Sequence, residues 1–279
     1  ISIIMCVIVI VIFTVVLYFR REPPGNVVHL KGKNKRIKNV FSKYLTTYNK
    51  NHAHRRFCPC CGWVGNVFNP INGVLDRVCP ICGARERHRK TCFTLANNTL
   101  TTTKLTHSFR LVHFGPHITM EDKINQMTNV DQVSVDYFYS GYKYSDLVLH
   151  ADVVNLNFPT NFAQGIIILH VLEHISKLDS AFSELKRVLH PQGWIIIEVP
   201  CRNNAETKDC RGLMTEAERF ECTGQRDHVW IFGCQDWAYR LNEHYHCSQV
   251  QFPTQQIKNA ILPKSGGYLA PGQFICRQK

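Results

Sequence analysis

Residues 165–200, GIIILHVLEHISKLDSAFSELKRVLHPQGWIIIEVP, constrain the fold more than any other part of the chain. Ile166, Ile167, Ile168 and Leu169 form a short unbroken apolar run, the pattern of a strand buried on both faces. The run stops at His170-Val171-Leu172-Glu173-His174. Leu178, Ala181, Phe182, Leu185, Val188 and Leu189 then recur at helical spacing, with Lys177, Glu184, Lys186 and Arg187 between them. Pro191-Gln192-Gly193 is expected to end that helix, and residues 194–199 read as a second apolar strand. Two parallel strands joined by a helix make a right-handed crossover. Ligands of open α/β sheets bind at the carboxyl ends of the strands, so His170, Glu173 and His174 fall where a site belongs.

The chain of 279 residues can hold one sizeable core and a small module or two. Its formal charge of +12 is unevenly spread. Residues 1–90 carry 16 Lys/Arg against 3 Asp/Glu, and residues 91–279 carry 17 against 18. Residues 1–19 contain only Ser2 and Thr14 as polar positions. Nineteen helical residues reach about 28 Å, the thickness of a bilayer core, so a transmembrane anchor is expected there. A cleaved signal peptide is the alternative, although its apolar stretch would be shorter. Arg20, Arg21, Lys31, Lys33, Lys35, Arg36, Lys38, Lys43, Lys50, Arg55 and Arg56 come after it, with Glu22 the sole acid in residues 20–56. This basic linker favours a cytosolic placement of residues 57–279 and attraction to anionic head groups; the lumen of the secretory pathway is the alternative. The linker lacks the interleaved aromatics that would support nucleic-acid binding.

The 13 cysteines would suit a secreted disulfide framework, but the spacing of four points elsewhere. Cys58-Pro59-Cys60-Cys61-Gly62 and Cys79-Pro80-Ile81-Cys82-Gly83 are two knuckles in the order C-x2-C-x17-C-x2-C. That spacing is expected to gather Cys58, Cys61, Cys79 and Cys82 around one structural zinc in a closed tetrahedral shell. Cys60 is either a substitute ligand or a free thiol. Arg85-Glu86-Arg87-His88-Arg89 comes next. It could clamp a phosphate or carboxylate, or start a helix whose arginines pack against the ribbon.

The strand ending in His-Val-Leu-Glu-His, the helix ending in Leu-x-Arg-Val-Leu-x-Pro-x-Gly and the strand ending in Val-Pro resemble a class I S-adenosylmethionine-dependent methyltransferase of the type 11 kind, over roughly residues 111–252. The resemblance implies an α/β fold, a doubly wound, mostly parallel seven-stranded sheet. The organisation expected is an anchor (1–19), a basic linker (20–56), a zinc ribbon (57–90) and a methyltransferase domain (91–279). It also implies a set of cofactor contacts. His113-Phe114-Gly115-Pro116-His117 stands at the loop that is normally glycine-rich; Gly115 keeps the first glycine and His113 replaces the usual acid. Asp136, ending the expected second strand, would accept hydrogen bonds from the ribose hydroxyls. Asp152 would meet the adenine amino group, and His170 would border the cofactor.

Methyl transfer from a sulfonium needs alignment and exclusion of water, and a base only where the acceptor is a hydroxyl. His170 and His228 are the candidate bases, with Glu173 or Asp227 orienting them. The anchor would suit a small-molecule or lipid-like acceptor; a protein side chain or RNA stays open. Residues 201–226, rich in charge and holding Cys210 and Cys222, are either a lid over the site or a surface insertion. Two rival readings of the function stand beside this one. His170-Val171-Leu172-Glu173-His174 also spells H-x-x-E-H, a zinc-peptidase pattern, which needs its histidines on a helix. The glycine-poor loop would equally suit a non-catalytic, membrane-tethered binding module on the same scaffold.

Overall fold

The computed structural model describes residues 55–279, apart from 72, 98–108, 126, 128, 139–143, 214, 254 and 263–271. The anchor expected at residues 1–19, and the basic linker up to residue 54, lie outside the described residues. Among the described residues, no helix is long and apolar enough to cross a membrane.

The first structure encountered is two antiparallel ribbons. β1 (Arg56–Phe57) pairs with β2 (Val64–Gly65), and β3 (Asn69–Ile71) with β4 (Val74–Val78). Each cysteine knuckle closes in the same way: Gly62 N–H donates to Cys58 C=O at 2.8 Å, and Gly83 N–H to Cys79 C=O at 3.0 Å. Both glycines take positive φ, 80° and 72°, which a side chain would resist. Helix α1 (Glu86–Asn97) comes next and crosses the boundary expected at residue 90, so ribbon and sheet share an element. Arg89 is fully buried on it, donating to Ala84 C=O (2.7 Å), Arg77 C=O (2.7 Å) and Ile261 C=O (2.8 Å), with its guanidinium 3.8 Å from the Phe68 ring centre. The packing role read for this arginine-rich tail holds for Arg89.

β5 (Phe109–Phe114), α2 (Ile118–Asn125), β6 (Val130–Asp136), β7 (Leu149–His150), β8 (Ala163–Leu169), a 3-10 turn (Leu172–His174), α3 (Leu178–Val188) and β9 (Leu189–Glu198) form the wound core. A small lobe is built from β10 (Cys201–Arg202), β11 (Lys208–Asp209), α4 (Glu216–Thr223) and β12 (Trp230–Gly233). Then come α5 (Cys234–His244), β13 (Tyr245–Gln249), α6 (Gln255–Ile261) and β14 (Gln273–Gln278). The main sheet has seven strands in the order β13-β14-β9-β8-β5-β6-β7. The five from β7 to β9 are parallel, and β14 runs antiparallel between β9 and β13. This is the seven-stranded, mostly parallel α/β sheet expected.

Alternate residues of the strands feed opposite layers. Val112, Phe114, Ile166, Ile168, Ile195 and Ile197 pack with Phe182, Leu185, Trp237 and Leu241 of α3 and α5. Leu111, Ile167, Leu169 and Ile196 face Cys92, Met120 and Ile124 of α1 and α2, together with Cys58, Cys60 and Phe68 of the ribbon. The ribbon thus shares the sheet's second core.

Two boundaries differ from the sequence reading, and the segment 201–226 takes a defined place. β9 begins at Leu189, so Pro191-Gln192-Gly193 enters the strand, with a register shift against β8 between Ala163 and Gly165 that absorbs the proline. The first closing antiparallel strand is Tyr245–Gln249, where the sequence pattern points to 249–252; Tyr245, fully buried, donates from its hydroxyl to Phe182 C=O at 2.7 Å and fixes this register. The segment 201–226 is built into the β10-β12-β11 sheet and tied by disulfides Cys201–Cys234 and Cys210–Cys222; Cys247–Cys276 joins β13 to β14.

Phe182 is completely buried at the centre of the α3 layer. Phe182→Ala is expected to lower unfolding free energy by about 3–5 kcal/mol, the usual cost of emptying a buried aromatic site. Urea denaturation with an unchanged m-value checks it; a loss below about 1 kcal/mol would contradict the packing described.

Candidate functional site

Strand order reverses between β5 and β8, which opens a crevice at their carboxyl ends. Gly115 leaves β5 with φ 58°, its N–H donating to Val135 C=O at 3.0 Å. A side chain there would stand 3.4 Å from Val171 Cγ2 and 3.9 Å from Asp136 Oδ2, so the loops after β5, β6 and β8 meet at this glycine. Asp136 is half-buried, and its Oδ1 accepts from Phe138 N–H and the Tyr144 hydroxyl, both at 3.3 Å. Oδ2 is the oxygen that looks toward Gly115. The geometry fits a ligand backbone passing close to Gly115 with hydroxyls within reach of Asp136.

Asp152 opens the next loop and caps its own turn, Oδ1 accepting from Val154 N–H at 3.1 Å. Glu184 and Arg187 of α3 hold that loop in place. Glu184 Oε2 accepts from Leu156 N–H (2.7 Å), while Arg187 donates to Leu156 C=O (2.8 Å) and Phe158 C=O (2.7 Å). His113 does not face open space: it is 1% exposed, with Gln132 Nε2 at 3.5 Å from Nδ1. Burial, then the neighbouring His117, lowers it to about 3, so it is neutral at ordinary pH.

A second group gathers after β8. His170 adopts φ 55°, a conformation strained for a residue with a Cβ, and its N–H donates to Glu198 C=O at 2.8 Å. That turn sets its ring between two acids, with Nδ1 3.4 Å from Glu173 Oε1 and Nε2 3.6 Å from Glu198 Oε1. Glu173 is wholly buried, and neither carboxylate oxygen accepts a hydrogen bond. His174 Nε2 and His228 Nε2 lie 3.9 and 4.0 Å from Glu173 Oε1. Two bonds stitch the distant segment to this corner: Val229 N–H to Glu173 C=O (2.9 Å) and Trp230 Nε1–H to Ile175 C=O (2.8 Å). Asp227 touches the group through His174, whose Nδ1 lies 3.1 Å from its carbonyl and 3.5 Å from Oδ2. Burial holds His228 below the usual imidazole range, against the pull of Glu173.

The structure therefore brings together His170, Glu173, His228 and Asp227, and separately Gly115 and Asp136, while His113 sits inside the core. Sequence reading missed Glu198, Gln273 and Lys90; Arg87 was named only within the Arg85–Arg89 run, as part of a phosphate or carboxylate clamp. Gln273 Nε2 donates to Glu198 Oε2 (2.5 Å) and to Thr91 Oγ1 (2.9 Å). Burial alone would raise Glu198, but Lys90, then His170 and Arg87, outweigh it and hold the carboxyl low. Glu198 ends an apolar strand as Asp136 does, so that signal was available; Lys90 and Arg87 reach the site only through the docking of α1.

The four ribbon sulfurs, Cys58, Cys61, Cys79 and Cys82, have mutual separations within 4.8 Å. Cys58–Cys82 and Cys61–Cys79 are 3.6 and 3.7 Å apart, close to the ~3.8 Å edge of a tetrahedron with Zn–S of about 2.3 Å. Cys60 stands outside this set as a buried free thiol that burial pushes up. Thr119, in the first turn of α2, donates to Cys82 C=O at 3.1 Å and is 2.5 Å from His117 Nδ1, which ties the loop after Gly115 to the second knuckle.

Residues 117–197, from the loop before α2 to the penultimate residue of β9, match the family model of a methyltransferase domain. The matched stretch contains Asp136, Asp152, His170, Glu173 and His174, and supports methyl transfer as the chemistry of this scaffold. No curated protein matches the chain. Among solved structures, the YcgJ protein of Bacillus subtilis is 16% identical, over 60% of this chain and 76% of its own, at a TM-score of 0.40. A SAM-dependent methyltransferase of Archaeoglobus fulgidus is 11% identical, over 69% and 93%, at 0.39. The Haemonchus contortus phosphoethanolamine N-methyltransferase 2, in complex with phosphomonomethylethanolamine and S-adenosylhomocysteine, is 13% identical, over 63% and 50%, at 0.38. Likenesses at this level carry no argument about this chain.

His113 makes stability depend on acid. Its folded value near 3 lies below the unfolded value of about 6.5, so the unfolded chain binds the extra proton between them. The stability tied to a neutral His113 is complete above about pH 6.5 and is lost as pH falls toward 3. In His113→Gln, the drop in unfolding free energy from pH 7 to 5 should be smaller than the parent's by up to about 2 kcal/mol. Equal acid slopes in urea melts would remove His113 from this role.

Proposed function

We propose that this chain is an enzyme that transfers a methyl group from S-adenosylmethionine to a small-molecule or lipid-like acceptor. The observation that carries the reading is Gly115 beside Asp136 at the carboxyl ends of the adjacent strands β5 and β6, next to the β5/β8 crevice and at the edge of a stretch that matches a methyltransferase domain. When bound, the cofactor supplies a methyl group on a sulfonium centre, already activated for in-line displacement. Gly115 lets the backbone lie close to it. Asp136 Oδ2 accepts from the ribose hydroxyls, and Asp152 serves the adenine end through the oxygen its own turn leaves free.

For a hydroxyl acceptor, His170 takes the proton. Glu173 and Glu198 on either side steady the imidazolium that forms, with Gln273 holding Glu198 and the charge of Lys90 keeping it ionised. His228 and Asp227 border the acceptor side of the same corner. The four ribbon cysteines hold a structural zinc, which their near-tetrahedral spacing fits. The apolar residues 1–19 and the basic residues after them tether the protein to a membrane. Three disulfides in the sheet domain support the secretory lumen over the cytosol as the side on which it works. Protease digestion of sealed vesicles separates the two: protection until detergent is added supports the lumen, digestion without it the cytosol.

The single glycine of the first loop favours one other reading, a binding module that no longer catalyses. Calorimetry of the full chain with S-adenosylmethionine decides whether the cofactor is bound, and methyl release to an acceptor decides catalysis. Asp136→Ala should weaken binding by about 3 kcal/mol, roughly 100-fold, because it removes two hydrogen bonds to a charged acceptor. Unchanged affinity in Asp136→Ala, or no binding by the parent, would overturn the reading.

A further inference from the structure

We infer that Glu173, His174 and His228 form a second metal site, distinct from the cysteine ribbon, which takes a zinc-class divalent cation at the carboxyl edge of the sheet. The inference concerns the corner that the methyl-transfer reading uses, but it does not require that reaction to occur.

Three observations converge. First, one ligand atom from each of the three residues lies within 4.8 Å of the others, from two segments over fifty positions apart in sequence. Two imidazoles and a carboxylate, with further positions open, are a donor set that suits Zn²⁺ or Fe²⁺. Second, Glu173 has no exposed surface, and neither of its oxygens accepts a hydrogen bond. A buried carboxylate left without donors is costly, and a cation held against it removes that cost.

Third, the histidines are set up as ligands. The carbonyl oxygen of Asp227 can only accept, so the contact at 3.1 Å places the proton of neutral His174 on Nδ1. The lone pair is then on Nε2, the nitrogen facing Glu173 at 3.9 Å. An outer carbonyl fixing the tautomer of a ligand histidine is the usual support of a metal centre. The His174 and His228 rings meet at 88° with centres 4.7 Å apart, so they approach Glu173 from two directions. The separations of 3.9 and 4.0 Å exceed the ~3.3 Å between ligand atoms at about 2.0 Å from a tetrahedral ion. Closure by about 0.6 and 0.7 Å would bring them to that geometry. Both side chains are partly open, 19% and 17% exposed, which leaves room for an oxygen of water or of an acceptor on the same ion. An acceptor with a hydroxyl or carboxylate is the class such an ion would hold.

The test is a metal count on the full chain, equilibrated with buffered micromolar zinc. The parent should hold two zinc ions, and X-ray absorption should show a mixed shell of sulfur and nitrogen or oxygen. Glu173→Gln and His228→Gln should each hold one zinc in a sulfur-only shell, which also reports that the ribbon remains folded. Cys79→Ser should lose the sulfur-bound ion and keep the other. A thermal melt gives a second readout: added zinc should raise the melting temperature of the parent above that of its one-zinc form, and leave Glu173→Gln unmoved. One zinc in the parent with a sulfur-only shell, or two zinc ions retained in both Glu173→Gln and His228→Gln, would overturn the inference. Methyl transfer measured on the same samples keeps the two proposals separable, because the count can fail while transfer persists, and the reverse.

Discussion

Everything in the molecule depends on burying β8 on both faces. Ile166, Ile167 and Ile168 have no exposed surface, and they alternate between the α3/α5 layer and the α1/α2/ribbon layer. A strand enclosed in this way must have neighbours on both edges, and β5 and β9 supply them in parallel register. Parallel pairing sends all these strands toward one end, so their carboxyl termini deliver Gly115, Asp136, His170 and Glu198 to one rim. Chemistry collects there because hydrophobic burial fixes the strands, while the chain is free to be polar only once it leaves them. Gly165 shows how tight the constraint is: a Cβ on it would come within 2.8 Å of both Leu111 and Trp194.

The ribbon is part of this construction. Cys58, Cys60, Phe68 and Cys79 belong to the same apolar cluster as Leu111, Ile167 and Ile196. α1 grows from the second knuckle and carries Arg89 inward to three carbonyls of two other segments. Thr119 links the Cys82 carbonyl to the first turn after the glycine loop. A loop with several glycines would bend freely and rely on a ligand to order it. Here Pro116 and the Thr119–Cys82 bond restrict the same loop from the protein side. Local closure of the knuckles and geometry at the ligand crevice are therefore coupled through one hydrogen bond and one shared core.

Much of this could be read in the sequence where the signal was local. The isoleucine run, the amphipathic α3 and the two cysteine knuckles are each written within about a dozen residues, and each forms where its pattern says. Asp136 and Gly115 were legible as strand-end positions. What the sequence hid was contact across distance. Tyr245 donating to Phe182 moves a strand boundary, and no pattern near residue 245 announces it. The bulge at Ala163/Gly165 lets Pro191 enter a strand that its ring would otherwise terminate. His113 reads as polar in a chemically loaded loop, yet strand alternation turns it into the core, where desolvation keeps it neutral. The six cysteines of the three disulfides have no repeating spacing, so their pairing emerges only once β10, β13 and β14 are placed.

The charge asymmetry of the chain acquires a structural meaning at the rim. The front third is basic, and α1 brings two of its cations, Arg87 and Lys90, near a corner where Glu173 is buried and Glu198 partly buried. Burial lowers both cations as well, so each is most stable beside an acid. Glu198 accepts from the Gln273 amide and lies in the field of Lys90, which favours its charged form. Glu173 receives no hydrogen bond; three imidazoles surround it at 3.4–4.0 Å. The two acids of this corner are thus treated differently: Glu198, at the end of β9, accepts a hydrogen bond from the protein, and Glu173, in the turn after β8, is left to whatever positive charge enters the crevice. A cation held by His174 and His228, or an imidazolium formed when His170 accepts a proton, meets the same unfilled requirement. The corner favours an entering positive charge because Glu173 lacks a hydrogen bond such as Gln273 gives to Glu198.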